Sequence, residues 1–502
     1  MMKTFKKYLA LDFGASNGRI AVGKYDGNKL QLDILHRFDN SPIKVAGTTY
    51  WDILYLFSNA LKGIKIAVNK YKDIKSMALD SWALDFGMLD KYGNLFSNPI
   101  SYRDEEKNID NSQDYFKKIS KEKIFEITGC NPFSPNVGLF YLYKMKLQQS
   151  QLLKIIDKFL MIPDILNYFF TSSVVSEYTI ASNTQMLNWK LKKWDRKILD
   201  CLGLDIKIFP EIVMTGREIG KINKNVAEEA GVERIPVIAC ALHDTASGII
   251  SVPVSLKNKN WAVIVLGTWC IIGIETNSPI IDLKILNYPI TNEGMAEGRN
   301  LLTKNLTGFW VLQKCREKWC SDFGKNLDWD TILNLSLRSK PFRSFIDIDS
   351  YQFAQNHADM LKIIRDYCKK TNQPMPKDIG ETAKCIYESM IMRFKYDLSI
   401  LEDIYGKKVD VIHLIGGGIR NRIFNQWIAD ATAKKVIAGP IEASIVGNIL
   451  IQMKQDGEIS SIEEGRQVSG NSKEVQFFDP INSDNWDEAY NKFLNIINKN
   501  NF

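Results

Sequence analysis

Alternation of apolar runs and polar breaks marks two segments of the chain as the same device. Residues 8–23, YLALDFGASNGRIAVG, run apolar, break at a Gly-bearing turn with hydroxyl and amide side chains, and run apolar again. Residues 261–275, WAVIVLGTWCIIGIE, repeat the pattern. Each predicts a β-hairpin by its turn chemistry. Their turn glycines, Gly14 and Gly267, lie about half the chain apart, which predicts a duplicated fold with one hairpin per half. Between the hairpins, strand-like runs at 76–79 and 236–241 mix with helical periodicity at 137–148 and 152–170, an α/β construction. Beyond the second hairpin the pattern predicts helices over 305–319 and 379–405. A strand over 409–415 follows, running directly into Gly416-Gly417-Gly418 and a helix near Asn421.

A chain of 502 residues is too long for one core. Two domains are expected, 1–250 and 251–502, with the boundary between Gly248 and Lys259. Apolar residues at 45% and charged residues at 25% fit a globular protein. Lys and Arg exceed Asp and Glu by a net +7, dispersed in short runs such as Lys192-Lys193, so a solvated surface rather than a nucleic-acid face is expected. The eight cysteines form no CxxC pair and do not alternate with the four histidines, which argues for packed, reduced thiols and against a zinc site. The opening MMKTFKKYLALDFG meets Asp12 too soon for a signal peptide or membrane span, so a cytoplasmic protein without a membrane partner is expected. The tail from Asn498 is expected to fray.

Four segments carry candidate chemistry. Asp12, at a strand end beside Ala15-Ser16-Asn17-Gly18-Arg19, suits a magnesium nucleotide: backbone N–H groups meet phosphate oxygens and the carboxylate reaches the metal through water. An ordinary hairpin turn has the same pattern. Leu242-His243-Asp244-Thr245-Ala246-Ser247 follows an apolar strand and exposes His243 and Asp244 at the lip of a sheet, although Asp244 as a helix cap reads equally well. The triplet 416–418 lets a phosphate or adenine approach backbone, or is simply a tight strand-to-helix turn; neither the dinucleotide fingerprint nor the P-loop occurs. Asp80-Ser81-Trp82-Ala83-Leu84-Asp85-Phe86, with Tyr102-Arg103-Asp104, pairs aromatic and carboxylate groups as a polyol site does, or as a core does.

Taken in order, Asp12 with ASNGR, DSWALDFGMLD (80–90), FLMIPDILNYFFT (159–171), SEYTIASNTQMLN (176–188), HDTAS (243–247), GTW (267–269), ITNEGMAEGR (290–299), IGGGIRN (415–421) and AGPIEASIVGN (438–448) resemble the FGGY carbohydrate kinases, and within them the rhamnulokinase branch. The blocks span residues 8 to about 480. The resemblance implies two actin-like (ribonuclease H-like) ATPase domains with an interdomain cleft, the sugar bound by the N-terminal one and the nucleotide by the C-terminal one. It implies transfer of the ATP γ-phosphate to the primary hydroxyl of a ketose, L-rhamnulose to L-rhamnulose 1-phosphate, by a monomer or homodimer.

Position by position, the resemblance makes Asp244 the general base and places Ala83, His243, Asp244, Thr245 and Asn305 at the sugar. It places Ala15, Ser16, Asn17, Gly18, Arg19, Thr268, Gln313, Gly417 and Asn421 at ATP. It gives Asp12 to Mg2+ through water. Two departures stand out: Ala83 replaces a family glycine beside the sugar, which leaves another ketose such as L-fuculose open, and Cys270 replaces a serine after GTW. A non-catalytic sugar sensor is a remote alternative; the first strand begins by Tyr8, leaving no room ahead of it for a helix-turn-helix.

Overall fold

Both predicted hairpins are present in a computed structural model of the chain, which describes residues 5–254, 260–471 and 474–499. Lys6–Phe13 pairs antiparallel with Asn17–Tyr25, and Trp261–Leu266 with Trp269–Thr276. The chain divides into two compact units. The first comprises Met1–Leu256, Glu275–Leu302 and Glu442–Lys473, and the second Lys257–Ile274, Thr303–Ile441 and Glu474–Phe502. The boundary expected between Gly248 and Lys259 lies partly in residues 255–259, outside the described residues, as does the end of the tail at 500–502. A single cut near 250 differs from this division because two later segments return to the first unit.

In the first unit the sheet order is Glu218–Lys221, Pro236–Ile238, Ile74–Ser81, Lys6–Phe13, Asn17–Tyr25, Leu30–Asp39. The Pro236–Ile238, Ile74–Ser81 and Lys6–Phe13 strands are mutually parallel, so their C-terminal ends share one edge. Strand residues alternate faces, and both faces of the hairpin are covered. On one side packs the helix Ile53–Lys70, capped by the Asp52 side chain, with Ile53, Leu56, Ala60, Ile64 and Ala67 buried at helical spacing. A cap of this kind is worth about 1 kcal/mol. Gly63 lets that helix close on Ile20, whose Cδ1 would lie 2.4 Å from an added Cβ. On the other side packs Ala443–Gln455, where Ile449 meets Gly23. Gln452 holds this helix in the unit: its Nε2 donates to the Leu9 carbonyl (3.0 Å) and its Oε1 accepts from Ser76 (2.7 Å).

In the second unit the strand order runs Asn300–Thr307, Trp269–Thr276, Trp261–Leu266, Val411–Ile415, Lys435–Ala438, Gln476–Phe478. Trp261–Leu266, Val411–Ile415 and Lys435–Ala438 are parallel. An antiparallel hairpin whose first strand also pairs with a parallel neighbour thus occurs in each unit, the duplication that the turn glycines predict. The helix Ile379–Tyr405 lies where its periodicity places it, capped by Asp378 and ended by Gly406 at φ 74°.

Two predicted helices need correction. The span 152–170 breaks into Leu152–Ile155, the strand Lys158–Met161 and the helix Ile162–Thr171. Phe159, Leu160 and Met161 are buried in pairing with Phe86–Leu89, and Pro163 suits a helix start rather than an interior. In 305–319, Asn305 lies on the strand Asn300–Thr307, and the helix begins only at Trp310. Gly308 makes the break: an added Cβ would lie 2.6 Å from Cys270 Sγ and 2.8 Å from the Gly267 carbonyl. Among the described residues, no helix is long and apolar enough to cross a membrane.

Candidate active site

The shared edge of the first unit's parallel strands gathers carboxylates. Asp12 and Asp80 are in register on adjacent strands, and His243-Asp244 follows the third. The Arg19 guanidinium lies against Asp12 Oδ2 at 2.6 Å and also grips Glu442, which in turn meets Arg37 at 2.7 Å. Ser444 Oγ donates to Asp12 Oδ2 (2.9 Å), and Asn448 Nδ2 to Asp80 Oδ2 (2.7 Å). Asp80 Oδ1 is buried with no partner among the described residues. Burial, and then the charge of Asp12, push Asp80 well above the usual carboxylate range.

Asp244 occupies the first position of the helix Asp244–Ile250, and the cap position belongs to His243. The capping role weighed for Asp244 therefore falls away. Its Oδ1 accepts from the Thr245 N–H (2.6 Å) and hydroxyl (3.3 Å), whereas Oδ2 has no donor among the described residues. Burial, and then Asp12, push this carboxyl up to about 7, although its side chain keeps 30% exposure. His243 lies 3.6 Å from Asp244 through Nε2 and 3.6 Å from Glu293 through Nδ1; burial holds the ring below its ordinary value and so neutral. Helix packing fixes this corner. At Gly447 an added Cβ would meet the Ser247 carbonyl at 1.7 Å, so Asp244–Ile250 and Ala443–Gln455 touch backbone to side-chain-free backbone.

The turn after the first strand is cross-braced. Gly14 N–H donates to the Asn17 carbonyl (2.9 Å), Asn40 Nδ2 donates to the Gly14 carbonyl (2.8 Å), and the Ser16 carbonyl accepts from Asn40 N–H (3.0 Å). Arg103 donates to the Ala15 carbonyl (3.0 Å). Gly18 is required sterically, since a Cβ would sit 2.0 Å from the Phe38 ring. Ala83 is buried beside Trp82. The carboxylate of this segment is committed to structure: Asp85 accepts from Trp51 (2.6 Å) and Trp82 (2.9 Å) and pairs with buried Lys107 (2.5 Å). The hydroxyl-acceptor half of the polyol reading thus loses Asp85.

Within the second unit, the turn Gly267-Thr268 and the start of the helix Trp310–Phe323 come together. Gln313 Nε2 donates to Thr268 Oγ1 (3.2 Å), and Trp310 N–H to the Thr268 carbonyl (3.0 Å). Cys270 is buried, its thiol pushed up to about 12 by burial and directed to the Gly267 carbonyl (3.7 Å). Gly416, at φ 92°, lies against the Leu266 carbonyl, and Gly418 against Leu266 and Phe309. An added Cβ at Gly417 would meet nothing within 4 Å, so this glycine alone of the three presents open backbone. Asn421 caps the helix Arg422–Thr432 through Phe424 N–H (3.0 Å). Asn305 is exposed on its strand.

Several residues of the first-unit cluster escaped sequence reasoning: Glu177, Asn183, Glu293, Glu442, Ser444 and Asn448. All lie inside the blocks 176–188, 290–299 and 438–448 that carry the family resemblance, but nothing local in the pattern reveals their partners. Among the described residues, no group of three or more His, Cys, Asp or Glu side chains could hold a metal by itself.

Comparison with known proteins gives the family and the fold. Residues 7–251 match the N-terminal domain, and residues 262–455 the C-terminal domain, of the FGGY family of carbohydrate kinases. A rhamnulokinase from Bacteroides thetaiotaomicron is 35% identical over 492 residues, 98% of this chain and 99% of that one. One from Oceanobacillus iheyensis is 37% identical over 92% of this chain and 95% of its own. In fold, a xylulose kinase from Lactobacillus acidophilus superposes with a TM-score of 0.81 at 17% identity, covering 98% of each chain. The glycerol kinase of Plasmodium falciparum does so with 0.75 at 14%, covering 99% of this chain and 97% of that one. The chain belongs to the FGGY carbohydrate kinases, two actin-like ATPase domains in one polypeptide that transfer a phosphoryl group from ATP to an alcohol group of a sugar.

Proposed function

We propose that this kinase phosphorylates the primary hydroxyl of L-rhamnulose, giving L-rhamnulose 1-phosphate, with Asp244 as the general base. The substrate rests on one observation: relatives named rhamnulokinase are 35–37% identical over more than nine-tenths of the chain. The base rests on geometry, a carboxyl at a strand-end helix start with one oxygen held by Thr245 and the other left without a donor. Phosphoryl transfer passes through a loose transition state, so positioning and charge stabilisation do most of the work. Asp244 has to reach within about 2.6 to 3.2 Å of the attacking hydroxyl and take its proton as the O–P bond forms, a contribution of about 10² to 10⁴ in rate.

His243 and Thr245 flank the base and Ala83 lines the sugar pocket, with Asn305 as a further sugar contact. Ala15, Ser16, Asn17, Gly18 and Arg19, with Thr268, Gln313, Gly417 and Asn421, are assigned to ATP. Arg19, held by Asp12 and Glu442, serves there through its backbone, and Asn421 outside its capping oxygen. Mg2+ fits the donor set: hard carboxylate oxygens at Asp12, and too few ligands for a cage without phosphate and water. Asp12 would hold the ion through water, and the ion would neutralise charge on the transferring phosphoryl group. The reaction is placed in the cytoplasm, where eight free thiols stay reduced.

Ala83 favours a second reading, in which a methyl group beside the pocket selects another ketose such as L-fuculose. An ADP-release assay across ketoses and polyols decides. Highest kcat/KM on L-rhamnulose supports the first reading, and preference for another ketose replaces it.

A further inference from the structure

We infer that Asn183 is a positioning residue for phosphoryl transfer: its side-chain amide fixes His243 in the tautomer that carries its proton on Nε2, the nitrogen turned toward Asp244. The inference rests on the reading of Asp244 as the base. Asn183 Nδ2 lies 3.0 Å from the Thr179 carbonyl and 3.3 Å from His243 Nδ1. A carbonyl only accepts, so the atom facing it is the amide nitrogen, and its second hydrogen is left for Nδ1. Nδ1 must then offer its lone pair. The single proton of a neutral ring sits on Nε2, 3.6 Å from Asp244 Oδ1, a gap that closes to a hydrogen bond with a shift of about half an ångström.

The helix that ends at Asn183 is tied to the same strand end by other bonds. Glu177, the buried cap of Tyr178–Ser182, accepts from Thr179 Oγ1 (2.6 Å) and from Leu242 N–H (3.3 Å). Thr179 Oγ1 accepts from the His243 N–H (3.2 Å). Backbone and side chain of His243 are therefore registered by one element.

Two carboxyl groups flank the ring, and they ask for different things. A charged Glu293, with Oε2 3.6 Å from Nδ1, would favour a proton on Nδ1 and set it against the Asn183 N–H. At 3.6 Å Oε2 lies beyond hydrogen-bond distance of Nδ1, whereas the Asn183 amide at 3.3 Å is within it, and burial raises the Glu293 carboxyl, disfavouring its charged form. Oε2 has no hydrogen-bond partner among the described residues. On the far side, a neutral Nε2–H steadies Asp244 Oδ1 without protonating it, leaving Oδ2 for the sugar hydroxyl.

The test combines ring spectroscopy with kinetics on the full chain. In enzyme labelled with 15N-histidine, only four rings are present, and His243→Gln assigns the signal. Long-range 1H–15N correlation at pH 8 is expected to show wild-type His243 as a neutral ring protonated on Nε2. In Asn183→Asp, whose carboxylate accepts from Nδ1, the proton moves to Nδ1 and kcat falls about 10²-fold, the low end of what a positioned base supplies, while KM for the ketose changes less than about threefold. Asn183→Ala falls about tenfold, with the two tautomers mixed. A wild-type ring protonated on Nδ1, or charged, overturns the inference and needs no variant to fold. Wild-type kcat in Asn183→Asp also overturns it. Near-normal turnover in Asp244→Asn would instead remove the base, and the inference with it, whatever the spectrum.

Discussion

Asp12 and Asp80 stand side by side, in register on adjacent parallel strands, and a single guanidinium, Arg19, is drawn to the pair. Asn448 satisfies one oxygen of Asp80 and nothing satisfies the other among the described residues. Two carboxylates packed this way oppose folding on their own account, and the strain falls where phosphate and metal charge would be received.

Asp80→Asn tests that cost. The folded carboxyl is raised above its unfolded value, so its ionisation destabilises the fold increasingly as pH rises through that interval. The amide keeps the Asn448 contact and removes the charge. Thermal unfolding midpoints are expected to rise by about 2–4 °C at pH 8 and by less at pH 5. An equal gain at both pH values would trace the effect to packing.

Asp244→Asn should retain ketose and ATP binding by calorimetry while turnover drops about 10² to 10⁴-fold. Near-normal turnover would move the base elsewhere.

The pH profile follows from the same carboxyl. With Asp244 pushed up to about 7, the free enzyme holds its base ionised only above that value. Log kcat/KM for the ketose should therefore fall with a slope approaching one unit per pH unit below about 7 and level off above it. A profile flat between pH 5.5 and 8 would contradict this.

Two glycines should separate packing from ligand contact. Gly447→Ala forces a methyl into the Ser247 carbonyl and is expected to cost more than about 3 kcal/mol, seen as loss of soluble protein or a collapse in the unfolding midpoint. Gly417→Ala has open space and should leave the midpoint unchanged while raising KM for ATP several-fold. Unchanged KM would remove Gly417 from the nucleotide site.

Much of the architecture is legible in order of residues. The hairpins around Gly14 and Gly267, the helix Ile379–Tyr405 and the strand before Gly416 all declare themselves through period-two or period-3.6 patterns and their stop signals. Lys158–Met161 does not. Its apolar run fits a helix equally well, and only pairing with Phe86–Leu89 makes it a strand. Asn305 likewise became a strand residue because Gly308 must close on Cys270 before the next helix can begin.

Local chemistry wrote Asp12, Asp244 and the glycine turns into the sequence, since strand ends and side-chain-free turns are properties of a few consecutive residues. Which carboxyl keeps a free oxygen was decided elsewhere. Asp85 is consumed by Trp51, Trp82 and Lys107, Asp80 is half-claimed by Asn448, and Asp244 is flanked by a histidine that Asn183 orients. Those partners come from segments far apart in the chain, and a hydrogen bond depends on position and direction in space, which residue order alone does not carry.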